Sequence, residues 1–189
     1  MTVKETPIVI FWFRRDLRIE DNHGLYQALK SENQVLPLFI FDTNILQQLD
    51  NKTDKRVDLI WQILKKLNNI FIEFGSSLRI EYGKPKEVFM KLMTEKNLKG
   101  VYTNTDYEPY AFARDREVSE LLKSKNIPFH SFKDQVIFEY NEILKSDKTP
   151  YTVFTPYSRL WKAKLYSQNI EAFPSEKLLH NLFKTPPLP

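Results

Sequence analysis

The string Phe13-Arg14-Arg15-Asp16-Leu17-Arg18, followed by Glu20-Asp21-Asn22-His23, crowds three arginines and three acids directly behind an apolar run. Such charges are costly to place against a folded core unless they are paired or meet a charged partner. Two readings stay open. In one, Asp16 and Arg18 form an internal ion pair that shapes the loop, and Asp21 or Asn22 caps the next helix. In the other, Arg14, nearest the apolar run, contacts an anionic or polar ligand. Asp42 and the group Asn104, Asp106 and Glu108 follow two further apolar runs and would face the same crevice in a parallel sheet. Arg56 either reaches that crevice or remains solvated. Convergence of a few polar groups marks a binding pocket, and Trp12, Phe13, Phe41, Tyr107 and Tyr110 flank it. Planar side chains beside fixed polar groups suit a flat conjugated ligand, while ordinary core packing also accounts for Trp12 and Phe13.

Other chemistries are excluded by what is missing. The four glycines, Gly24, Gly75, Gly83 and Gly100, leave the turn after the first apolar run without the close backbone approach to phosphate that dinucleotide fingerprints and phosphate loops require. His23, His130 and His180 have no partners at metal-ligand spacing, so no metal is expected. The absence of cysteine removes thiol nucleophiles, disulfides and zinc-thiolate sites, and accords with the reducing cytoplasm. No serine sits in a nucleophile-elbow sequence and no carboxylate pair stands out as an acid and base couple. The residues offer no self-sufficient catalytic centre.

The positions of these residues depend on five short runs read as strands: residues 7–13, 35–41, 77–82, 100–104 and 127–132. The first two are unbroken β-branched and aromatic stretches, as strands buried on both faces of a parallel sheet must be. Helical patterns lie between them, three at 22–30, 85–96 and 109–125 and a longer one that begins after Asp54. In the longest, Val57, Ile60, Trp61, Leu64 and Leu67 recur at helical spacing as a core stripe behind a cap at Asp54. Short-looped β-α alternation predicts a doubly wound, five-stranded parallel sheet, Rossmann-like, with ligands beyond the carboxyl ends of the strands. Beyond Lys133 the pattern breaks into a linker, one helix over 157–168 and a proline-rich end at 185–189. Two units follow: an α/β domain over 1–133 and a linker extension over 134–189.

With 189 residues, 42% of them hydrophobic, the chain can bury one full-sized core and an extension. Its net charge of +4 is diluted among 28 basic and 24 acidic residues, which allows only slight attraction to nucleic acid. The apolar stretch after residues 1–4 is too short for a signal peptide or membrane span, so the cytoplasm is the default and no membrane partner is expected.

The motif Trp12-Phe13-Arg14-Arg15-Asp16-Leu17-Arg18 with Asp21-Asn22 resembles the opening signature of the photolyase and cryptochrome family. Asn104, Asp106, Glu108-Pro109 and Arg114-Asp115 form a second match, and Tyr151-Thr152-Val153-Phe154-Thr155-Pro156 with Trp161 a third. The resemblance implies an amino-terminal antenna-binding domain and linker, with the helical FAD domain and its flavin-binding and electron-relay residues beyond Pro189. It implies a parent protein that splits pyrimidine dimers in damaged DNA by light-driven electron transfer, a carbon-carbon lyase reaction, or one that senses blue light. The 189-residue chain is then expected to be inactive alone, and its own helical domain is a partner.

Carried over by motif, Arg14, Phe41, Asp42, Arg56, Asn104, Asp106 and Glu108 would line the antenna site, with no catalytic residue among them. Folate-using members tend to have Asn-Glu where this chain has Tyr110-Ala111, so the resemblance favours a deazaflavin or flavin antenna over folate. It also suggests that Lys148, Tyr151 and Lys162 lie near a DNA backbone in the complete enzyme, beside the plainer reading of a solvated linker. The contrasting reading is a free-standing nucleotide-binding domain of the stress-protein or electron-transfer-flavoprotein kind, against which the missing glycine loop counts.

Overall fold

A computed structural model of the chain describes residues 6–51 and 53–185. Five parallel strands, β1 (Ile8–Phe13), β2 (Gln34–Asp42), β3 (Arg79–Gly83), β4 (Leu98–Asn104) and β5 (Phe129–Phe132), form one sheet in the order β3-β2-β1-β4-β5. All six residues of β1 are buried because the strand lies at the centre with a layer on each face. Alternation divides them: Val9, Phe11 and Phe13 enter one core, while Ile8, Ile10 and Trp12 enter the other. Helices α1 (His23–Leu29) and α3 (Lys55–Glu73) cover the first core; α4 (Pro85–Glu95) and α5 (Pro109–Lys123) cover the second. The short helix α2 (Thr43–Leu46) follows β2.

Pro37 within β2 fits its place. Val35, two residues earlier, accepts from Phe183 N at 2.8 Å on the side away from β1, and β3 joins only from Leu38 onward. The missing proline N–H therefore falls in a gap between two partners.

One expectation needs correction. The stripe on α3 is core only in its carboxyl-terminal half, at Leu64, Leu67 and Phe71; Trp61 is 46% exposed. The amino-terminal half extends past the sheet, and there Val57 and Ile60 face a cavity. Asp54 caps α3 as expected, and its bonds from Arg56 lower its carboxyl pKa to about 2.

The stretch after Lys133 does not stay apart from the α/β unit. Its helix α6 (Phe154–Tyr166) buries no residue, but a terminal 3-10 helix, Ser175–Asn181, returns to the first core. Leu179 and Leu182 are buried there, and Leu182 pairs with Val35 as a parallel bridge on β2. Nothing in the hydrophobic spacing read for a linker anticipates this return. The prolines at 186–189 and the terminus at 1–5 lie outside the described residues.

Candidate functional site

The carboxyl ends of β1 and β2, the loop after β4 and the start of α5 surround a cavity of about 540 Å³. Six of the seven residues predicted for a ligand site line it: Arg14, Phe41, Asp42, Arg56, Asp106 and Glu108. The apolar wall comes from Ile45 and Leu46 of α2, Leu49, and Val57 and Ile60 of α3. A larger hollow of about 740 Å³ lies at the β3 edge beside Trp61 and Arg79, away from every signature residue.

Asn104 is the exception, and its chemistry explains why. Its buried amide donates to Asp16 Oδ2 at 2.6 Å and Asn22 Oδ1 at 2.8 Å, and accepts from Gly24 N at 2.7 Å. The side chain is spent on joining β4 to the loop and to α1. Asn22 also caps α1, accepting from Leu25 N at 3.1 Å. Asp16 turns inward, accepting from Arg14 N at 2.9 Å as well as from Asn104. Burial pushes its carboxyl pKa up, against the lowering effect of those N–H donors.

The expected Asp16–Arg18 ion pair does not form. Arg18 reaches instead to Asp134, 2.8 Å away and almost fully buried. The Arg14 guanidinium, 7% exposed, donates to the Asp115 carboxylate and to the Asn104 carbonyl, so its charge is already balanced. Arg15 spans the rim, 3.3 Å from Glu108 and 3.7 Å from Asp106. Arg56 is exposed and held by Asp54. The signature arginines thus prepare the loop and rim more than they offer a free cation.

Trp12, Tyr110 and Arg114 belong to the lining although Trp12 reads equally as core and Arg114 as part of a motif alone. The guanidinium carbons of Arg14 and Arg114 lie 5.1 and 5.0 Å from the Trp12 ring centre. Both Asp42 oxygens are engaged: Oδ1 accepts from Asn44 N at 3.0 Å and Oδ2 from the Tyr110 hydroxyl at 2.6 Å. Among the flanking aromatics, Phe13 is core, and Tyr107 donates to Glu139 at 2.8 Å, outside the lining. Periodicity could not have found Ile45 and Leu46, because the helix that presents them is four residues long.

Burial, helped by the bond to Asp42, raises the Tyr110 hydroxyl to about 12. The native state therefore holds this proton where the unfolded chain releases it, near pH 10. The hydroxyl's contribution to stability is complete below pH 10 and is lost as pH rises through about 12. The difference in unfolding free energy between the wild type and Tyr110→Phe should stay level from about pH 7 to 9.5 and shrink above about pH 10. A difference that grows above pH 10 would contradict this placement of the proton.

The fit of a flat chromophore can be judged from the lining itself. Phe41 supplies an aromatic face, the α2–α3 side is aliphatic, and Asp106 and Glu108 lie along the polar rim. Trp12 Nε1 is buried without a hydrogen-bond partner, and the residue packs in the second core as well as lining the cavity. A planar ring with an N–H edge matches the combination of aromatic face and acidic rim. Among the described residues no cluster of histidine and carboxylate side chains could hold a metal ion, and no helix is long and apolar enough to cross a membrane.

Sheet order and cavity together define a doubly wound α/β module with a cavity at the carboxyl ends of its central strands. The chain belongs to the DNA photolyase family, whose model matches residues 9–177. It is 34% identical over 156 residues to a deoxyribodipyrimidine photo-lyase of Synechococcus, covering 82% of this chain and 32% of that protein. Its fold matches a class III photolyase from Agrobacterium tumefaciens with a TM-score of 0.77 at 23% identity, over 100% of this chain and 38% of the other. An archaeal photolyase from Sulfolobus tokodaii, described with two FAD molecules, matches at a TM-score of 0.68 and 23% identity, over 95% and 43% of the two chains. The chain spans about a third of the length of the curated photolyases it matches.

Proposed function

We propose that this chain is the light-harvesting part of a DNA photolyase and that the 540 Å³ cavity holds an antenna chromophore with a flavin- or deazaflavin-type ring. The observation that carries the reading is the coincidence of one cavity with the family's signature: residues from two of the three motifs line it together, with Phe41 and Asp42 at the end of β2 between them. When bound, the chromophore would absorb light and pass its excitation onward to a catalytic flavin held elsewhere in the protein. The residues described here bind and orient. Phe41 would pack against the ring, and the apolar α2–α3 wall would exclude water from it. The acidic rim of Asp106 and Glu108 would fix its orientation through hydrogen bonds.

In this proposal the whole protein repairs pyrimidine dimers in damaged DNA, with FAD bound by a helical domain that packs on this part. No residue described here is assigned to the bond-breaking step, so the 189-residue chain alone is inactive in repair. Lys148 and Lys162 are exposed in the segment leading to and along α6, where they would add phosphate attraction to a DNA interface. A folate antenna is disfavoured because Tyr110 and Ala111 occupy the start of α5.

The test is titration of the purified chain with FMN and a deazaflavin, followed by fluorescence anisotropy. Ile60→Trp, which fills the cavity from α3, should weaken binding roughly tenfold or more while leaving the unfolding midpoint nearly unchanged. Binding of ATP with no response to either chromophore would overturn the proposal.

A further inference from the structure

A second hollow, about 690 Å³ in volume, lies between the amino-terminal ends of α4 and α5. Tyr110 and Arg114 line both this groove and the candidate chromophore cavity, so together they form the partition between the two. Arg114 is the buried inner part, stacked with its guanidinium carbon 5.8 Å from the Tyr110 ring centre and anchored to Asp115 at 2.9 Å. Tyr110 is the outer part. Its hydroxyl donates to Asp42 Oδ2 at 2.6 Å and accepts from Asn44 Nδ2 at 3.1 Å, which ties the start of α5 to the end of β2 and to α2.

We propose that Tyr110 keeps the adenylate half of a dinucleotide chromophore out of the α4–α5 groove, by closing the passage into it from the cavity. The inference rests on the flavin-type reading of the cavity and adds to it a residue that denies a dinucleotide any gain over a mononucleotide. Two hydrogen bonds from different elements hold the ring in place, so the wall is fixed and does not swing with the side chain's own torsions. Beyond it the groove offers Lys84, Lys86 and Arg116, paired with Glu87, Glu117 and Glu120 at 3.8, 3.1 and 2.9 Å. All three pairs are exposed, and such pairs hold loosely enough to exchange a carboxylate for a phosphate. With the partition present, the adenylate half of a dinucleotide finds no such contacts and stays in solvent. With the partition removed, the same half enters a groove with three basic side chains.

FMN and FAD are the two probes, titrated against the 189-residue chain. The wild type should bind them with affinities within about threefold of each other, because only the shared half is contacted. Tyr110→Ala should shift the ratio toward FAD by roughly tenfold or more, and Lys86→Glu added to it should reverse the gain for FAD while leaving FMN alone. Tyr110→Phe keeps the ring but loses the two bonds that fix it, and its ratio should lie between those of the wild type and Tyr110→Ala. Should Tyr110→Ala lose its circular-dichroism spectrum, Tyr110→Leu opens the passage with less loss of packing and takes its place. A wild type that already prefers FAD tenfold, or a ratio unchanged in the opened variant, would overturn the assignment of Tyr110 while leaving the chromophore reading standing. Failure of the wild type to bind either flavin would overturn both.

Discussion

Asn104→Ala is expected to cost about 4 kcal/mol of folding stability, although the residue lines no cavity and touches no ligand in the proposed site. Three buried hydrogen bonds end on this one amide, and truncation leaves Asp16 Oδ2, Asn22 Oδ1 and Gly24 N each short of a partner. An unsatisfied buried polar group costs roughly 1–3 kcal/mol, and Asp16 Oδ2 and Gly24 N are left so while Asn22 Oδ1 keeps Leu25 N; together the losses approach the lower end of a domain's whole stability. The neighbourhood cannot collapse to compensate. A Cβ at Gly24 would already lie 2.6 Å from Asn104 Oδ1 and 2.9 Å from Phe11 Cε2, which shows how closely α1 approaches β4 here. Asn104→Asp is nearly isosteric and should be at least as damaging, since it turns a donor facing two acceptors into a carboxylate beside the buried Asp16. Urea unfolding of both variants measures the effect. A loss below about 1 kcal/mol for Asn104→Ala would mean that water replaces the amide and that the node is dispensable.

The same residue marks the boundary between what the sequence discloses and what it hides. Its position after β4, in line with Asp106 and Glu108, is legible from strand periodicity and motif. Its orientation is not, because a side chain at a strand end can turn toward the ligand or toward the next loop. The choice depends on Asn22 and Gly24, some eighty residues earlier. Arg18 illustrates the same limit: a partner two positions away looks sufficient on paper, yet it pairs with Asp134. The five strands were legible because β-branched and aromatic runs have one stable use in a parallel sheet, and the boundaries of β1 and β2 shift by only a residue or so. The α3 stripe misleads at Trp61 because helical spacing records a face without recording whether the sheet extends beneath it. Trp61 borders the hollow at the β3 edge, whereas Val57 and Ile60 of the same helix line the cavity at the ends of β1 and β2.

A chain ending at Lys133, where the α/β pattern stops, should fail to fold stably. Strand and helix periodicity alone favour that boundary, since all five strands lie before it. The core does not respect it. Leu179 and Leu182 are buried among Val9, Phe11, Leu25 and Val35, and each such side chain returned to water forfeits about 1.5–3 kcal/mol. Further bonds go with them: Ser175 Oγ donates to the Ile19 carbonyl, and Asn181 Nδ2 donates to the Leu29 carbonyl at 2.8 Å. Losing Asp134 also strips Arg18 of its partner and His23 N of its acceptor at 3.1 Å. The sum exceeds about 5 kcal/mol, comparable to the total stability of a small domain. The shortened chain should therefore lose its cooperative urea transition, while a single change, Leu182→Asp, should cost about 4 kcal/mol in the full chain through an unpaired buried charge. Tyr166→Asp, on the exposed face of α6, serves as the control and should stay within about 0.5 kcal/mol of wild type. A shortened chain that unfolds at the wild-type midpoint would show that the 3-10 helix merely rests on the core. If the loss occurs, the folding unit is discontinuous: it includes 6–134 and the returning segment near 173–185, and α6 with its exposed Phe154 and Tyr166 is the excursion between them.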